Sequence, residues 1–328
     1  MIIAADGRPY EFFRKEMPLV SLVRFPGIRI DYPEGSGMVL KMTTQMPGFI
    51  LSIRNEHILL RKLVRDAGAT LVISENRYGC WHPAVKSVFI THQLDIQVPG
   101  YLGWGSALSG SIVNAFIRKY DECWIPDYTQ DGGLAGRLSH PHVLPGNCHY
   151  IGTLSRFYNE GNYTGHLPCP APDIFVLLSG PEPQRSLLES LVLKQLRESP
   201  YSAVIAGGRP ESGEPWVTEG RITIFPHLDT ALTKFYLQHA GHIICRSGYS
   251  TLMDLACLGR TAILVPTPGQ TEQEYLASSL KAKKIHYSVA QNDFRLKEAM
   301  ELSSGYTGVV LRNDQDKLSE RIRKLSGR

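Results

Sequence analysis

A short segment in the second half of the chain combines residue types that bind anions. An apolar stretch ends at Cys245 and is followed by Arg246, Ser247 and Gly248. A predicted helix then begins, with Ser250 in its first turn. The first amide N–H groups of a helix have no partner inside the helix, and the helix dipole adds positive potential there. The arrangement is typical of a phosphate site, and also of an ordinary strand-to-helix connection with a serine cap.

Sequence signatures of several other chemistries are missing. Gly103 and Gly105 do not continue as the G-x-G-x-x-G fingerprint of nicotinamide enzymes, and no G-x-x-x-x-G-K-[ST] or G-x-S-x-G motif occurs. The Asp-x-Asp pattern at Asp314 and Asp316 lies in a polar stretch that is typical of a helix start. The six cysteines form no C-x-x-C pair. We therefore expect chemistry without a bound metal or cofactor.

Composition excludes some classes of protein. The chain has 328 residues, of which 43% are hydrophobic and 20% charged, and its net charge is +4. These values are typical of a globular protein of two domains, and the charge is too small for a dedicated nucleic-acid binder. No apolar run reaches the ~18 residues of a membrane span, and no signal peptide is recognisable. The expected location is the cytoplasm.

The elements that must position these residues alternate between short apolar strands and longer helices, a pattern typical of a parallel α/β sheet. Predicted strands cover residues 1–5, 19–25, 69–74, 87–91, 122–125, 150–154, 173–178, 202–206, 222–225, 242–245 and 261–265. The Gly- and Pro-rich segment 157–172 predicts a linker. We therefore predict an α/β protein with two doubly wound parallel-sheet (Rossmann-like) domains, residues 1–156 and 173–328, facing a cleft. The last helix is expected to pack back on the first domain.

Two strand ends in the first half carry polar side chains that could act on a ligand. The carboxyl ends of parallel strands face the cleft in such folds. A histidine at such a position serves either as a base or as an ordinary structural residue. The residues concerned are Asn76, Arg77, Tyr78, His92, Gln93 and Asp95.

The segment 49–66 predicts an amphipathic helix with a basic face. Ile53, Leu60 and Val64 recur at helical spacing, whereas Arg54 and Arg61 lie elsewhere on the helix. Two structures give this pattern: a helix packed on the core with a solvated face, and a helix that lies on an anionic membrane surface.

Three separated motifs of the second half resemble the donor site of the MurG-type transferases of glycosyltransferase family 28. They are the stretch 245–254, the pair Val265 and Pro266, and the stretch 271–275, in the family's order and spacing. The resemblance covers most of the second predicted domain and, more loosely, the first. It implies the GT-B fold and an inverting transfer of a sugar, N-acetylglucosamine in that family, from its UDP ester to a lipid-linked or glycan acceptor. It also implies a UDP-sugar co-substrate, no metal, and a place at the inner face of the cytoplasmic membrane, in the synthesis of the cell envelope.

The resemblance implies phosphate contacts at two turns. Ser247, Gly248 and the N–H groups of the following helical turn correspond to the family's phosphate site, and Arg156 corresponds to an arginine near the diphosphate. Ser179 and Gly180 stand at a second turn, where the family has more glycines. Prolines at 181 and 183 remove N–H donors there.

Further donor contacts are implied for the ribose, the sugar and the base. Asp254 stands where the family has a glutamate on the ribose, and His227 and Leu228 correspond to residues against the uracil. Gln273 and Glu274 stand where the family has two glutamines on the sugar. The full donor-side set is Arg156, Ser179, Gly180, His227, Leu228, Arg246, Ser247, Gly248, Tyr249, Ser250, Thr251, Asp254, Gln273 and Glu274.

The general base is the missing part of the resemblance. In the family a Gly-rich loop with a histidine follows the first strand, whereas this chain begins at what resembles the second strand. We therefore expect the missing piece upstream, with a second chain or a rearranged domain as the alternatives, and His92 and Asp95 are the remaining candidate bases. Asn76, Arg77, Tyr78 and Gln93 then correspond to the acceptor-side loops. Two alternatives stay open: a non-catalytic UDP-sugar-binding subunit of a two-chain transferase, and a GT-B sugar-nucleotide epimerase.

Overall fold

Contacts within the chain divide it into two compact units. The computed structural model describes residues 1–27, 38–95, 113–158, 165, 167–309 and 315–326, with the backbone alone at 38–47, 315 and 326. Unit 1 contains Met1–Arg24 and Ser155–Leu311, and unit 2 contains Phe25–Leu154 and Arg312–Arg328. This division differs from the predicted one at the amino-terminal end of the chain. Residues 1–24 group with the second half, and the last helix groups with the first.

The amino-terminal segment is a small βαβ element within unit 1. Strands β1 (Ile2–Ala5) and β2 (Ser21–Arg24) pair in parallel as a two-stranded sheet, with helix α1 (Gly7–Glu16) between them. The prediction placed both strands in the first domain. The side chains of α1 explain the difference, because Arg8 donates to the Gly180 carbonyl and Glu16 accepts from Thr230, both in the second half of the chain.

Unit 2 is built on four parallel strands that lie side by side in chain order. A 30-residue helix, α2 (Met38–Ala67), precedes them. Its Ile53, Leu60 and Val64 are buried, and the last two pack with Phe25 and Val72, so this stripe of the helix faces a core. The strands are β3 (Leu71–Glu75), β4 (Lys86–Ile90), β5 (Glu122–Ile125) and β6 (Cys148–Tyr150).

Unit 1 is built on a seven-stranded sheet. Its strands are β7 (Ile174–Leu177), β8 (Ala203–Ala206), β9 (Val217–Glu219), β10 (Ile222–Phe225), β11 (His242–Cys245), β12 (Ile263–Leu264) and β13 (Tyr287–Ser288). Across the sheet the order is β13-β12-β11-β7-β8-β10-β9, and only the edge pair β9–β10 is antiparallel. Counted from β7, the six parallel strands have the 3-2-1-4-5-6 order of the doubly wound fold. The predicted α/β fold with parallel sheets is therefore confirmed.

Helices connect the strands of unit 1 and cover its sheet. They are α3 (Gln184–Arg197), α4 (Thr230–His239), α5 (Tyr249–Cys257), α6 (Thr271–Ala282) and α7 (Leu296–Ser303), whereas α8 (Gln315–Ser326) belongs to unit 2. Leu188 and Val192 of α3 are fully buried in one cluster with Val176, Ile205 and Ile244 of three neighbouring strands. This packed centre holds the strands, and so fixes where the turns at their carboxyl ends begin.

Candidate functional site

The two turns predicted to bind phosphate lie side by side in unit 1. β7 and β11 are neighbours in the sheet, with Leu177 opposite Cys245 at their carboxyl ends. β7 is the first strand of the doubly wound order and β11 the fourth, so the strand order reverses between them. Ligands of such sheets bind outside the carboxyl ends at this switch point. The chain thus places Gly180 and Gly248 next to the expected ligand position. We call this edge of the unit 1 sheet the carboxyl edge.

The amino terminus of α5 offers backbone N–H groups at the carboxyl edge. Gly248 precedes the helix in an extended conformation, and no side chain caps the helix start. The Leu252 N–H donates to the Gly248 carbonyl at the start of the helix. The N–H groups of Ser250 and Thr251 come before this bond, so they point out of the helix end. Tyr249 is buried and Ser250 is exposed. The helix can therefore offer a phosphate its first backbone N–H groups and the exposed Ser250 side chain.

The Ser247 side chain has a different role from the one expected of a phosphate ligand. Ser247 is fully buried, and its hydroxyl donates to the backbone carbonyl of Gln273 at 2.8 Å. It therefore ties the turn after β11 to the start of α6. Only its backbone remains available to a ligand at the carboxyl edge.

Arg246 is a second correction to the predicted donor contacts. Its guanidinium is fully buried and donates to the carbonyls of Val265 (3.0 Å), Pro266 (3.1 Å) and Gln184 (2.6 Å). Burial lowers the pKa of Arg246 to about 10. The side chain therefore joins the turn after β12 to the start of α3, and it supports these segments without contacting the ligand position itself.

Arg156 and Asp254 contact each other. The Arg156 Nε lies 3.6 Å from one carboxylate oxygen of Asp254, and the Ser155 hydroxyl donates to the other oxygen at 2.7 Å. Burial raises the pKa of Asp254, although the bonds from Ser155 and Arg156 act in the opposite direction. The guanidinium also lies over the rings of Phe12 and Phe157. The two groups predicted for diphosphate and ribose thus form one preassembled pair.

The side chains predicted to face the donor sugar hold a turn. The Gln273 amide oxygen accepts from the Thr267 N–H at 2.9 Å, and a Glu274 carboxylate oxygen accepts from the Gly269 N–H at 2.8 Å. We call Thr267–Gly269 the 267–269 turn. A Cβ atom added at Gly180 would lie 3.8 Å from the Thr267 hydroxyl, so this turn lies beside the turn after β7.

His227 and Leu228 follow β10 on the same edge. Leu228 is buried, and the His227 Nε2 lies 3.6 Å from a carboxylate oxygen of Glu16, with the Phe12 ring edge-on to the imidazole. Burial opposes ionisation of Glu16, but the nearby His227 imidazole and the hydrogen bonds from Thr230 lower the pKa of this carboxyl. The contribution of α1 to this edge could not be predicted from the sequence, because no pattern near Glu16 indicates a partner 214 residues later in the chain.

The turn after β7 carries Ser179, Gly180 and a charged cluster. Gly180 has φ +100°, a conformation that only glycine adopts without strain. Arg185 is buried and bonds the carboxylates of Glu182 and Glu189. Although burial opposes it, bonding to Arg185 and Ser186 lowers the pKa of Glu182 to about 2. The Arg185 charge is therefore already matched by two carboxylates.

In unit 2, the acceptor-side expectation for Arg77 conflicts with the structure. Its guanidinium bonds Glu56 (3.0 Å), the Phe25 carbonyl (3.0 Å) and the Pro26 carbonyl. Glu56 is buried in α2, so the pair anchors the turn after β3 to that helix. Asn76, beside it, is exposed and has a positive φ.

Tyr78 is also part of an aromatic core. Its ring packs against Phe89 and Phe116, and burial raises its pKa to about 12. Because neither Arg77 nor Tyr78 presents its polar group outward, Asn76 is the residue of this turn that a ligand can reach.

The candidate bases lie on the turn after β4 of unit 2. His92 is largely buried, and Gln93 and Asp95 are half-buried. The Gln93 N–H donates to the Thr91 hydroxyl, and one carboxylate oxygen of Asp95 lies 3.7 Å from Arg137. These contacts fix the turn, and the role of His92 and Asp95 as bases stays a prediction.

The described residues form neither a metal cluster nor a membrane-spanning helix. Across the described ranges, no three His, Cys, Asp or Glu side chains are grouped in a way that could hold a metal ion. Within the same part of the chain, no helix is long and apolar enough to span a bilayer. Gly103, Gly105 and Asp314 lie outside the described residues.

Part of this site lies in a segment that is similar to a known domain family. Residues 210–317 match the glycosyltransferase family 28 C-terminal domain. The match spans 108 of the 328 residues and contains α5 and the 267–269 turn. No curated protein matches the sequence.

Solved structures share the fold of the whole chain. The kitacinnamycin glycotransferase has a TM-score of 0.56 and 12% identity, over 99% of this chain and 94% of that one. The calicheamicin glycosyltransferase CalG4 has a TM-score of 0.56 and 12% identity, over 100% and 98%. A candidate UDP-N-acetylglucosamine 2-epimerase from Listeria monocytogenes has a TM-score of 0.50 and 9% identity, over 98% and 94%. The likeness confirms the predicted GT-B fold, and the domain match supports the prediction of a glycosyltransferase.

Proposed function

We propose that this chain is a glycosyltransferase that binds a UDP-sugar at the carboxyl edge of unit 1 and transfers the sugar with inversion. One observation carries the proposal: the uncapped amino terminus of α5 lies at the switch point, inside the range that matches the family 28 C-terminal domain. Backbone N–H groups there suit a diphosphate, and their positive potential stabilises the charge on departing UDP.

The remaining donor contacts follow from the side chains around this helix. The pair Arg156 and Asp254 supplies a guanidinium for the diphosphate and a carboxylate for the ribose hydroxyls. The 267–269 turn, held by Gln273 and Glu274, forms the sugar side. We propose N-acetylglucosamine as the sugar, on the strength of the resemblance. The loop of His227 and Leu228 forms the uracil side.

The reaction is one displacement at the anomeric carbon. An acceptor hydroxyl oxygen attacks that carbon, the bond from the carbon to the UDP oxygen breaks, and a base takes the hydroxyl proton. His92 and Asp95 are the bases that we propose. A lipid-linked or glycan acceptor is proposed from the resemblance, and no metal or cofactor forms part of the proposal.

The test is a turnover assay. The protein is incubated with UDP-N-acetylglucosamine, with and without lipid-linked or glycan acceptor, and UDP and sugar products are followed by NMR. We expect UDP release that depends on acceptor. Release of an epimer without acceptor would support the epimerase alternative, which the fold shared with a candidate epimerase favours. UDP binding without turnover would support the non-catalytic subunit.

We further propose that the transferase meets its acceptor at an anionic membrane surface through α2. Leu51 and Ile58 are more than half exposed, and they alternate with Arg54, Arg61 and Arg65 at helical spacing on the outward face. A face that mixes apolar and basic side chains suits the headgroup region of an anionic bilayer.

Vesicle sedimentation tests this surface. Wild-type protein is expected to sediment with phosphatidylglycerol vesicles more than with phosphatidylcholine vesicles. A Leu51→Ser, Ile58→Ser variant is expected to lose binding several-fold, because two apolar side chains no longer enter the interface. Leu302→Ser, which changes an exposed leucine of α7 in unit 1, is the matched control. Equal sedimentation of all three proteins contradicts the proposal.

A further inference from the structure

The diphosphate of a UDP-sugar brings two negative charges to the carboxyl edge, where three nearby arginines bond other groups of the protein. Arg246 is buried on three carbonyls, and Arg185 is buried between two carboxylates. Arg156, proposed above for the diphosphate, shares its charge with Asp254. The turn after β7 also carries Glu182, whose lowered pKa keeps it anionic. A further positive group at this turn would therefore favour a diphosphate there.

Arg8 of α1 is such a group. Its Nη1 donates to the Gly180 carbonyl at 2.8 Å, so the guanidinium lies at the turn that follows β7. Its other nitrogens lie 3.3 Å from Glu182 and 3.2 Å from Glu211. The Arg8 side chain is 34% exposed, in contrast to the buried side chains of Arg185 and Arg246. A ligand in solvent can therefore reach it.

The position of Arg8 is set by the whole of α1. Lys15, at the other end of the helix, donates to the Ser212 carbonyl, and Glu16 accepts from Thr230 at 2.8 Å. Phe12, between them, packs against His227. The helix therefore contacts the connections after β7, β8 and β10, and this keeps its first turn beside Gly180.

We propose that Arg8 binds the donor diphosphate, as a part of the nucleotide site that the amino-terminal segment contributes. The inference rests on the proposed function. The exposed ion pairs with Glu182 and Glu211 are weak, so a phosphate displaces them at little cost. A guanidinium forms two parallel hydrogen bonds with phosphate, and it stabilises the charge that develops on UDP as the sugar departs.

Calorimetry with UDP and with uridine tests the assignment, because the two ligands differ only in the diphosphate. Arg8→Ala is expected to weaken UDP binding about tenfold and to leave uridine binding unchanged. Arg8→Lys is expected to recover part of the loss. Arg14→Ala, which removes an exposed arginine of the same helix paired with Glu11, is the matched control and is expected to change neither affinity.

A second variant tests the sign of the charge effect. Glu211→Gln removes one carboxylate partner of Arg8 and is expected to strengthen UDP binding several-fold, and adding Arg8→Ala is expected to abolish that gain. Equal weakening of UDP and uridine binding by Arg8→Ala would assign Arg8 to docking of α1 and overturn the inference, as would unchanged UDP binding. Failure of the wild-type protein to bind UDP would contradict the proposed function itself.

Discussion

Replacing Arg246 with methionine is expected to lower the free energy of unfolding by about 2–4 kcal/mol. The substitution removes the donors of three hydrogen bonds and leaves the carbonyls of Gln184, Val265 and Pro266 without them. Methionine fills much of the same space, so the loss is one of hydrogen bonding more than of packing. Part of the loss is offset, because burial of the Arg246 charge is itself unfavourable, as its pKa of about 10 shows.

Urea unfolding of the purified variant measures this effect. Arg197→Met is the control, because Arg197 pairs with Glu219 on the surface, where an ion pair contributes little. We expect the control to lose less than about 1 kcal/mol. If Arg246→Met unfolds at the same urea concentration as wild type, the guanidinium does not support the turn after β12 and the start of α3.

Arg246 also shows which features of the site can be predicted from the sequence. The types and spacing of residues 245–251 predicted a strand, a small-residue turn and a helix start, and the structure has all three. Spacing along the chain does not reveal which way a side chain turns. The Arg246 guanidinium turns inward because three carbonyls from distant segments converge there, and these segments are up to 62 residues away.

The same reasoning separates the predictable from the unpredictable parts of the fold. β-branched runs such as Ile174–Leu177 and His242–Cys245 are buried on both faces, so composition alone predicted them as parallel strands. The short strands β9 and β13 have too few residues for a pattern. The partners of Met1–Arg24 depend on Arg8 and Glu16 meeting residues about 170 to 215 positions later. No local pattern encodes such contacts.

Asp254→Asn is expected to weaken UDP binding about ten- to a hundredfold, which corresponds to the ~1.5–3 kcal/mol of a hydrogen bond to a charged group. In the proposed site the carboxylate accepts from the ribose hydroxyls. The amide keeps the size and one acceptor oxygen, but it loses the charge and the attraction to Arg156. The Ser155 hydroxyl can still donate to the amide oxygen, so the local packing stays intact.

The same substitution is expected to raise stability at neutral pH. Burial raises the pKa of Asp254 above its usual 3.8, so the folded chain holds this proton more tightly than the unfolded chain. Stability contributed by this group therefore falls as pH rises from 3.8 through the raised pKa, and it stays low above that range. The amide of the Asp254→Asn variant does not titrate, so the stability difference in favour of the variant grows through this window and then levels off.

Parallel measurements of UDP affinity and of urea unfolding from about pH 3 to 8 test both expectations, because this range begins below the pKa of the unfolded chain and extends to neutral pH. Asp66→Asn, which changes an exposed carboxylate of unit 2, is the control for the loss of one negative charge. Lower stability with unchanged UDP affinity would assign Asp254 to structure alone. A variant that is more stable and binds UDP less tightly would show that the buried carboxylate of Asp254 lowers the stability of the wild-type protein. Packing and hydrogen bonding within unit 1 do not account for such a charge, whereas a ligand that donates hydrogen bonds to it does.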